Sequence, residues 1–470
     1  MQRPRLRLWS LALVLLLLGG CAQIPPFWRP ATAVPEGWRL AAADADAFPP
    51  ADWWRGFGSA ELTELVATAQ RNNPDLLAAA SRIAQAAALT RAAAAGLYPT
   101  LEGSGSASRT GGFTRDQPDR KSYQLALDAA YEIDLWGRNR AGVLAARAQE
   151  AATRFDRDAI ALTLTADVAT SYLQYLALGD RLETARANLA NARRILELVE
   201  ARQRLGATSA LEVAQQRAAV AALEAALPEL GRQQAQTLNA LALLLGQAPQ
   251  QARVAGGSLS EVTLPAVSPG LPSELLTRRP DIGRAEADLA AANADIGAAR
   301  AAFFPTIRLT AGTGFASAAL GSLFDPGGAF YDLAAGLVAP IFEGGRLSAE
   351  LDRSRARYDE LLHAYRGAVV AAFGDVEDAL AAAKYLAEVE AAQRRAVAQN
   401  REAFRLAETQ FRAGAIDFLT VLETQRSLFQ AEDALLQTRL GRLSAAVGLF
   451  RALGGGWGAE AAPGGWRPIS

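Results

Sequence analysis

The chain has 470 residues, 21% of them charged, with a formal net charge of −1. That balance excludes a basic nucleic-acid binder and a disordered acidic tail, so electrostatics alone names no partner. A single His, a single Cys and a single Met exclude a histidine-based nucleophile or a His/Cys metal cluster, so no catalytic residue, metal or cofactor is expected.

The N-terminus carries Arg3, Arg5 and Arg7, an apolar run from Leu8 to Leu18, and then Gly19-Gly20-Cys21. The run is shorter than the ~20 residues a membrane helix needs, and its layout is that of an export signal. Leu18-Gly19-Gly20-Cys21 resembles a bacterial lipobox, which implies cleavage after residue 20 and a lipid on Cys21. Cys21 has no second cysteine to pair with, which fits lipidation in an oxidising compartment. By the same resemblance to bacterial lipoproteins, Ala22 in place of Asp implies the outer membrane as the expected address. Residues 21–59, rich in Pro and Trp and without periodicity, read as an extended tether.

The body is a duplication. Pro74-Asp75 and Pro280-Asp281 each open an Ala-rich stretch that closes 25 residues later with aromatic-Pro-Thr, at Tyr98-Pro99-Thr100 and Phe304-Pro305-Thr306. Ile282, Ala285, Leu289, Ala292, Ile296, Ala299 and Phe303 have the three-four spacing of a coiled-coil seam, and Leu76, Ala79, Ile83, Ala86, Ala93 and Leu97 match it. Helices are predicted over 59–97 and 272–303. Each runs into a strand: a weak one at 101–107, and one at 306–316 in which Ile307, Leu309, Ala311, Thr313 and Phe315 alternate with polar or small residues. The alternation is cleanest at 122–135, with Tyr123, Leu125, Leu127, Ala129, Tyr131 and Ile133 on one face. A fourth strand is predicted over 330–341.

From Gly137 to Gly206 and from Gly345 to Gly414 the spacing is 69 residues in both halves. Each interval is a predicted long helix, a rod of ~100 Å at 1.5 Å per residue. Leu205-Gly206-Ala207 and Ala413-Gly414-Ala415 turn the chain, and helices over 211–245 (with a kink expected at Pro228) and 419–453 return. Two short helices stacked end to end would cover one long one. The expected organisation is a first repeat at 60–270, a second at 271–454 and a tail at 455–470.

Strands that alternate apolar with polar suit an outer-membrane barrel, lipid on one face and lumen on the other. Backbone groups in lipid must all be paired, so the sheet must close, and four strands cannot close when the smallest such barrels have about eight. Oligomerisation is therefore expected. A non-transporting coiled-coil scaffold, the bland alternative, has no use for residues 122–135.

The segments RRPDIGRAEADLAAANADIGAARAAFFPTIRLTAG, YEIDLWGR (131–138), PIFEGGR (340–346) and GAIDFLTVLETQRSLFQAE (414–432) together resemble a TolC-like outer-membrane factor, in the lipoprotein branch that serves resistance-nodulation-division pumps. The resemblance implies a mainly α protein with a membrane β-barrel: a homotrimer whose 12-stranded barrel continues into a periplasmic tunnel of coiled-coil hairpins. It implies efflux of drugs or other small amphiphiles, with a periplasmic adaptor, an inner-membrane pump and outer-membrane lipid as partners. A duct for secreted polypeptides is the alternative; the lipobox favours small molecules. By the same resemblance Leu419, Glu423 and Arg426, with Glu212 after the first turn, form a periplasmic gate. Leu205, Gly206, Ala207, Ala413, Gly414 and Ala415 become adaptor-docking tips. Glu423 stands where the family more often has Asp.

Overall fold

The computed structural model describes residues 25–40, 49–111 and 119–455. Cys21 and the expected signal segment lie outside the described residues, as does the tail beyond Gly455.

Each half runs through the same elements. The first has α1 (Ala60–Asn72), α2 (Pro74–Ala95), β1 (Thr100–Thr110), β2 (Arg120–Ile133), α3 (Arg138–Arg204) and α4 (Ala210–Leu244). The second has α5 (Pro272–Arg278), α6 (Pro280–Ala301), β3 (Thr306–Ser317), β4 (Ala329–Val338), α7 (Arg346–Arg412) and α8 (Phe418–Ala452). Both long helices have 67 residues, as the glycine spacing implies. α4 runs through Pro228 without ending.

Four elements depart from the sequence reading, one of them β4, which ends at Val338 rather than at 341. The helices expected over 59–97 and 272–303 are each broken, at Asn73 and at Arg279, which are extended at φ −63, ψ 124 and φ −85, ψ 122. The proline that follows each excludes the helical basin for the residue before it. The expected tether is likewise not all extended: Trp53–Phe57 form a 3₁₀ turn whose Trp53 and Phe57 are buried in the core, Trp53 stacked at 4.8 Å on Phe450.

The two breaks are the joints at which short helices stack. Asn73 caps α2 by accepting from the Asp75 and Leu76 amides, while its Nδ2 donates to the Leu244 carbonyl at the end of α4. Arg279 donates to the Ala452 carbonyl at the end of α8 and pairs with Asp281 and Asp375. A Cβ on Gly246 would lie 2.3 Å from the Asn72 carbonyl oxygen, and one on Gly454 2.6 Å from that of Arg278; both glycines also have positive φ. Only glycine permits so close an approach with that backbone.

α3 therefore packs against α2 and α4 on one side and against α6 and α8 on the other, and α7 packs along α6 and α8. The chain forms an arc of four helical rows. Residues 25–40 strap the α6 and α7 rows: Asn293 of α6 donates to the Pro25 carbonyl, Arg29 pairs with Glu286 of α6, Trp38 sits edge-on to Phe373 of α7, and the Arg39 amide donates to Glu377.

Candidate functional site

Among the described residues no helix is long and apolar enough to cross a membrane. The four strands form one antiparallel sheet in the order β1-β2-β3-β4, with both outer edges unpaired. Its registers sort the side chains. Gly103 faces Leu127, Leu127 faces Thr313 and Thr313 faces Tyr331; Ala129 faces Ala311 and Ala311 faces Leu333. That face is apolar, and Leu101, Leu125, Leu127, Tyr331, Leu333 and Leu337 stand exposed on it. The other face carries Glu102 opposite Asp128, Glu132 opposite Arg308, and Gly312 between Asp128 and Asp332.

At the sheet's helical end, Trp136 stacks on Phe304 at 4.7 Å and its indole N–H donates to the Pro305 carbonyl at 2.7 Å. Asp134 caps α3 through the Asn139 and Arg140 amides. Strand and rod are thus rigidly joined.

At the far end of the rods the chain turns twice in the same way. The Gly206 and Ala207 amides donate to the Gln203 and Arg202 carbonyls, and those of Gly414 and Ala415 to Phe411 and Gln410. Gly206 and Gly414 have φ of 72 and 74, as this helix-ending motif requires. Ser209 and Asp417 then cap the return helices. Both turns are tied together: Arg202 donates to the Phe411 carbonyl and lies 4.5 Å from the Phe411 ring. Ile195, Val199, Val213, Phe404, Phe411 and Phe418 share one apolar cluster.

This architecture has close relatives. A family model described as outer membrane efflux protein matches residues 65–247 and 271–455. The pyoverdine export outer membrane protein OpmQ of Pseudomonas aeruginosa is 43% identical over 95% of this chain and 96% of its own. The cation efflux system protein CusC of Escherichia coli is 36% identical over 94% and 97%. The open-state structure of the Neisseria gonorrhoeae MtrE outer membrane channel superposes with a TM-score of 0.85 at 32% identity, covering 93% of this chain and 99% of that one. The chain belongs to the outer membrane efflux protein family. It is an outer-membrane channel of that efflux class and not an enzyme.

Within this efflux channel the structure brings Leu419, Glu423 and Arg426 together. They line a groove of about 680 Å³ between α4 and α8 together with Phe429 of α8, with Gln215 and Ala222 of α4 opposite. Glu423 and Arg426 pair at 3.5 Å one turn apart, with side chains 57% and 59% exposed, a geometry that adds little to stability by itself. Glu212 is elsewhere. Its carboxylate accepts from the Ser209 amide at 2.7 Å and from the Thr208 hydroxyl, completing a capping box. The Thr208 hydroxyl and then the Ser209 amide hold it below the usual carboxylate range. At the 208-residue offset that relates Gly206 to Gly414, Gln215 matches Glu423, and Glu212 matches Thr420. Asp417, which caps α8, is lowered by Thr420 in the same manner.

Sequence reasoning missed a buried amide pair just above these residues. Gln216 Nε2 donates to the Ala192 carbonyl at 2.8 Å and lies 3.5 Å from Gln425 Oε1. The signal was available: Gln216 interrupts the seam of Val213 and Val220, and Gln425 that of Leu422 and Leu428. A polar residue at a seam position specifies partner and register at some cost in stability.

Proposed function

We propose that this chain is the trimeric exit duct of a tripartite efflux pump, anchored in the outer membrane by a lipid on Cys21. The single observation that carries this reading is a four-stranded sheet with one apolar face, one polar face and two unpaired edges, joined stiffly to ~100 Å helical rods. Unpaired edges are untenable in lipid, and three copies supply 12 strands. The arc of four helical rows, repeated three times, continues that wall as a tunnel.

The cargo is small molecules drawn from the periplasm, and the inner-membrane pump selects it. Two relatives of similar fold are named for pyoverdine and for cations, which supports a duct that discriminates little. The turns at Leu205-Gly206-Ala207 and Ala413-Gly414-Ala415 are the places for a periplasmic adaptor to dock, and Leu419, Glu423 and Arg426 form the gate. Three copies of Glu423 around one axis repel unless each keeps a cation, which Arg426 supplies.

The experiment is single-channel recording in planar lipid bilayers. Replacing Glu423 and Arg426 together by Ala is expected to raise the resting conductance several-fold. Unchanged conductance would remove the gate from the proposal, and no conductance at all from correctly folded wild-type protein would remove the duct.

A further inference from the structure

We propose the residue-by-residue register in which β4 of one copy pairs with β1 of the next. The inference rests on the trimeric reading above and adds to it a specific interface.

The duplication supplies a ruler. Residues from Pro74 to Thr100 match those from Pro280 to Thr306 at an offset of 206, and residues around Gly137 match those around Gly345 at an offset of 208. Applied to the first hairpin, where Thr100 faces Ala130, these offsets require Thr306 to face Val338. That is the register observed in the second hairpin, so the ruler holds within the sheet.

The β2–β3 pairing joins the two halves inside one chain, and the β4–β1 pairing must join one copy to the next in the same way. Ile133 faces Ile307, Ala129 faces Ala311, Asp128 faces Gly312 and Ala126 faces Gly314. Translated by the two offsets, Ile341 faces Leu101 of the neighbouring copy, Leu337 faces Gly105, Gly336 faces Ser106 and Ala334 faces Ser108. These four pairs keep apolar against apolar or small on one face and polar or small on the other; elsewhere the same register sets Val338 against Ser104 and Leu333 against Arg109.

An independent feature supports the same register. β2 pairs with β1 only as far as Ala130 but continues to pair with β3 as far as Ile133. The equivalent of Ala130 is Val338, where β4 stops in the isolated chain. Residues 339–341 are the equivalents of 131–133 and have no partner on the β3 side. Ile341 is 92% exposed and Leu101 71% exposed. The neighbouring β1 supplies the partner that completes β4.

Disulfide trapping in the full-length chain tests this. Gly336 has room for a side chain, since an added Cβ would meet only the Arg308 carbonyl oxygen at 3.9 Å, and Ser106→Cys is nearly isosteric. Within one chain β1 and β4 lie three strand spacings apart, about 14 Å, beyond the ~7 Å Cα limit of a disulfide, so any crosslink is between copies. The double variant Gly336→Cys/Ser106→Cys, oxidised in outer-membrane vesicles, is expected to lose its monomer band on a non-reducing gel in favour of dimer and trimer bands that reductant abolishes. The single variants control for Cys21. Gly336→Cys combined with Ser104→Cys or with Ser108→Cys samples the two-residue slips that preserve the faces, and these are expected to stay monomeric on the gel. Crosslinking of a slipped pair, or of none while native mass spectrometry finds a trimer, overturns the register and leaves the oligomer standing. A monomer by native mass spectrometry overturns the trimeric reading itself.

Discussion

Replacing Arg29 by Ala strips a buried carboxylate of its cation. Arg29 Nε and Nη2 donate to the two oxygens of Glu286 at 3.0 and 2.8 Å, and the Glu286 side chain is only 2% exposed. Removing one partner of such a pair costs about 3–5 kcal/mol. The expected loss is therefore about 3–5 kcal/mol, because the carboxylate stays buried without its partner. Chemical unfolding of the detergent-solubilised protein measures this, and Arg29→Ala/Glu286→Gln, which removes the orphaned charge, should recover most of the loss. A loss below about 1 kcal/mol, or no recovery in the double variant, would refute the reasoning.

Two further outcomes are expected. Gly414→Ala meets no neighbour within 4 Å, so its cost is the left-handed backbone alone, about 1–2 kcal/mol; hydrogen exchange should quicken at the second turn and stay unchanged at the Gly206 turn. Glu390 is buried among Arg394, Arg439 and Arg442 at 2.5, 3.4 and 2.7 Å. Burial opposes its charge, but the Arg442 hydrogen bond and the surrounding guanidiniums win and hold it below the usual carboxylate range. A lowered carboxyl contributes stability above its unfolded value, lost as pH falls through the folded one. Glu390→Gln keeps the shape but loses the charge-assisted hydrogen bonds, and should thus cost about 2 kcal/mol at pH 7, with the gap to wild type closing as pH falls into the acid range, read by acid-unfolding curves.

Much of this architecture was legible because its signals are periodic. The long helices start and stop within two residues of Gly137, Gly345, Gly206 and Gly414, and the strand faces follow from alternation alone. The breaks at Asn73 and Arg279 were signalled by Pro74 and Pro280, but the seam continues across them and masked the rule for the residue before proline. The 3₁₀ turn at Trp53–Phe57 had no periodic signal; its position comes from burying Trp53 against Phe450, a contact almost 400 residues distant in sequence. β4 ends at Val338, three residues before its expected end, because β3 offers no partner beyond Thr306. Of the residues proposed for the gate, periodicity and turns could place Leu419, Glu423 and Arg426 near a hairpin end. Only the fold shows that they share a groove while Glu212 serves as a cap.

The places where the two halves have diverged follow from which joints are internal. Where β2 hands over to α3, Trp136 staples the neighbouring corner through Phe304 and the Pro305 carbonyl. At the equivalent corner after β4 the tryptophan position is Gly344, and its counterparts across the proposed seam are Tyr98 and Pro99 of the next copy. Tyr98 is accordingly 69% exposed in the single chain. A stacked indole with its N–H satisfied rigidifies the joint inside a copy, since aromatic pairs contribute about 0.5–1.5 kcal/mol beyond area burial. In the proposed trimer the joint between copies would lack that staple and rely on strand pairing and on the helical rows.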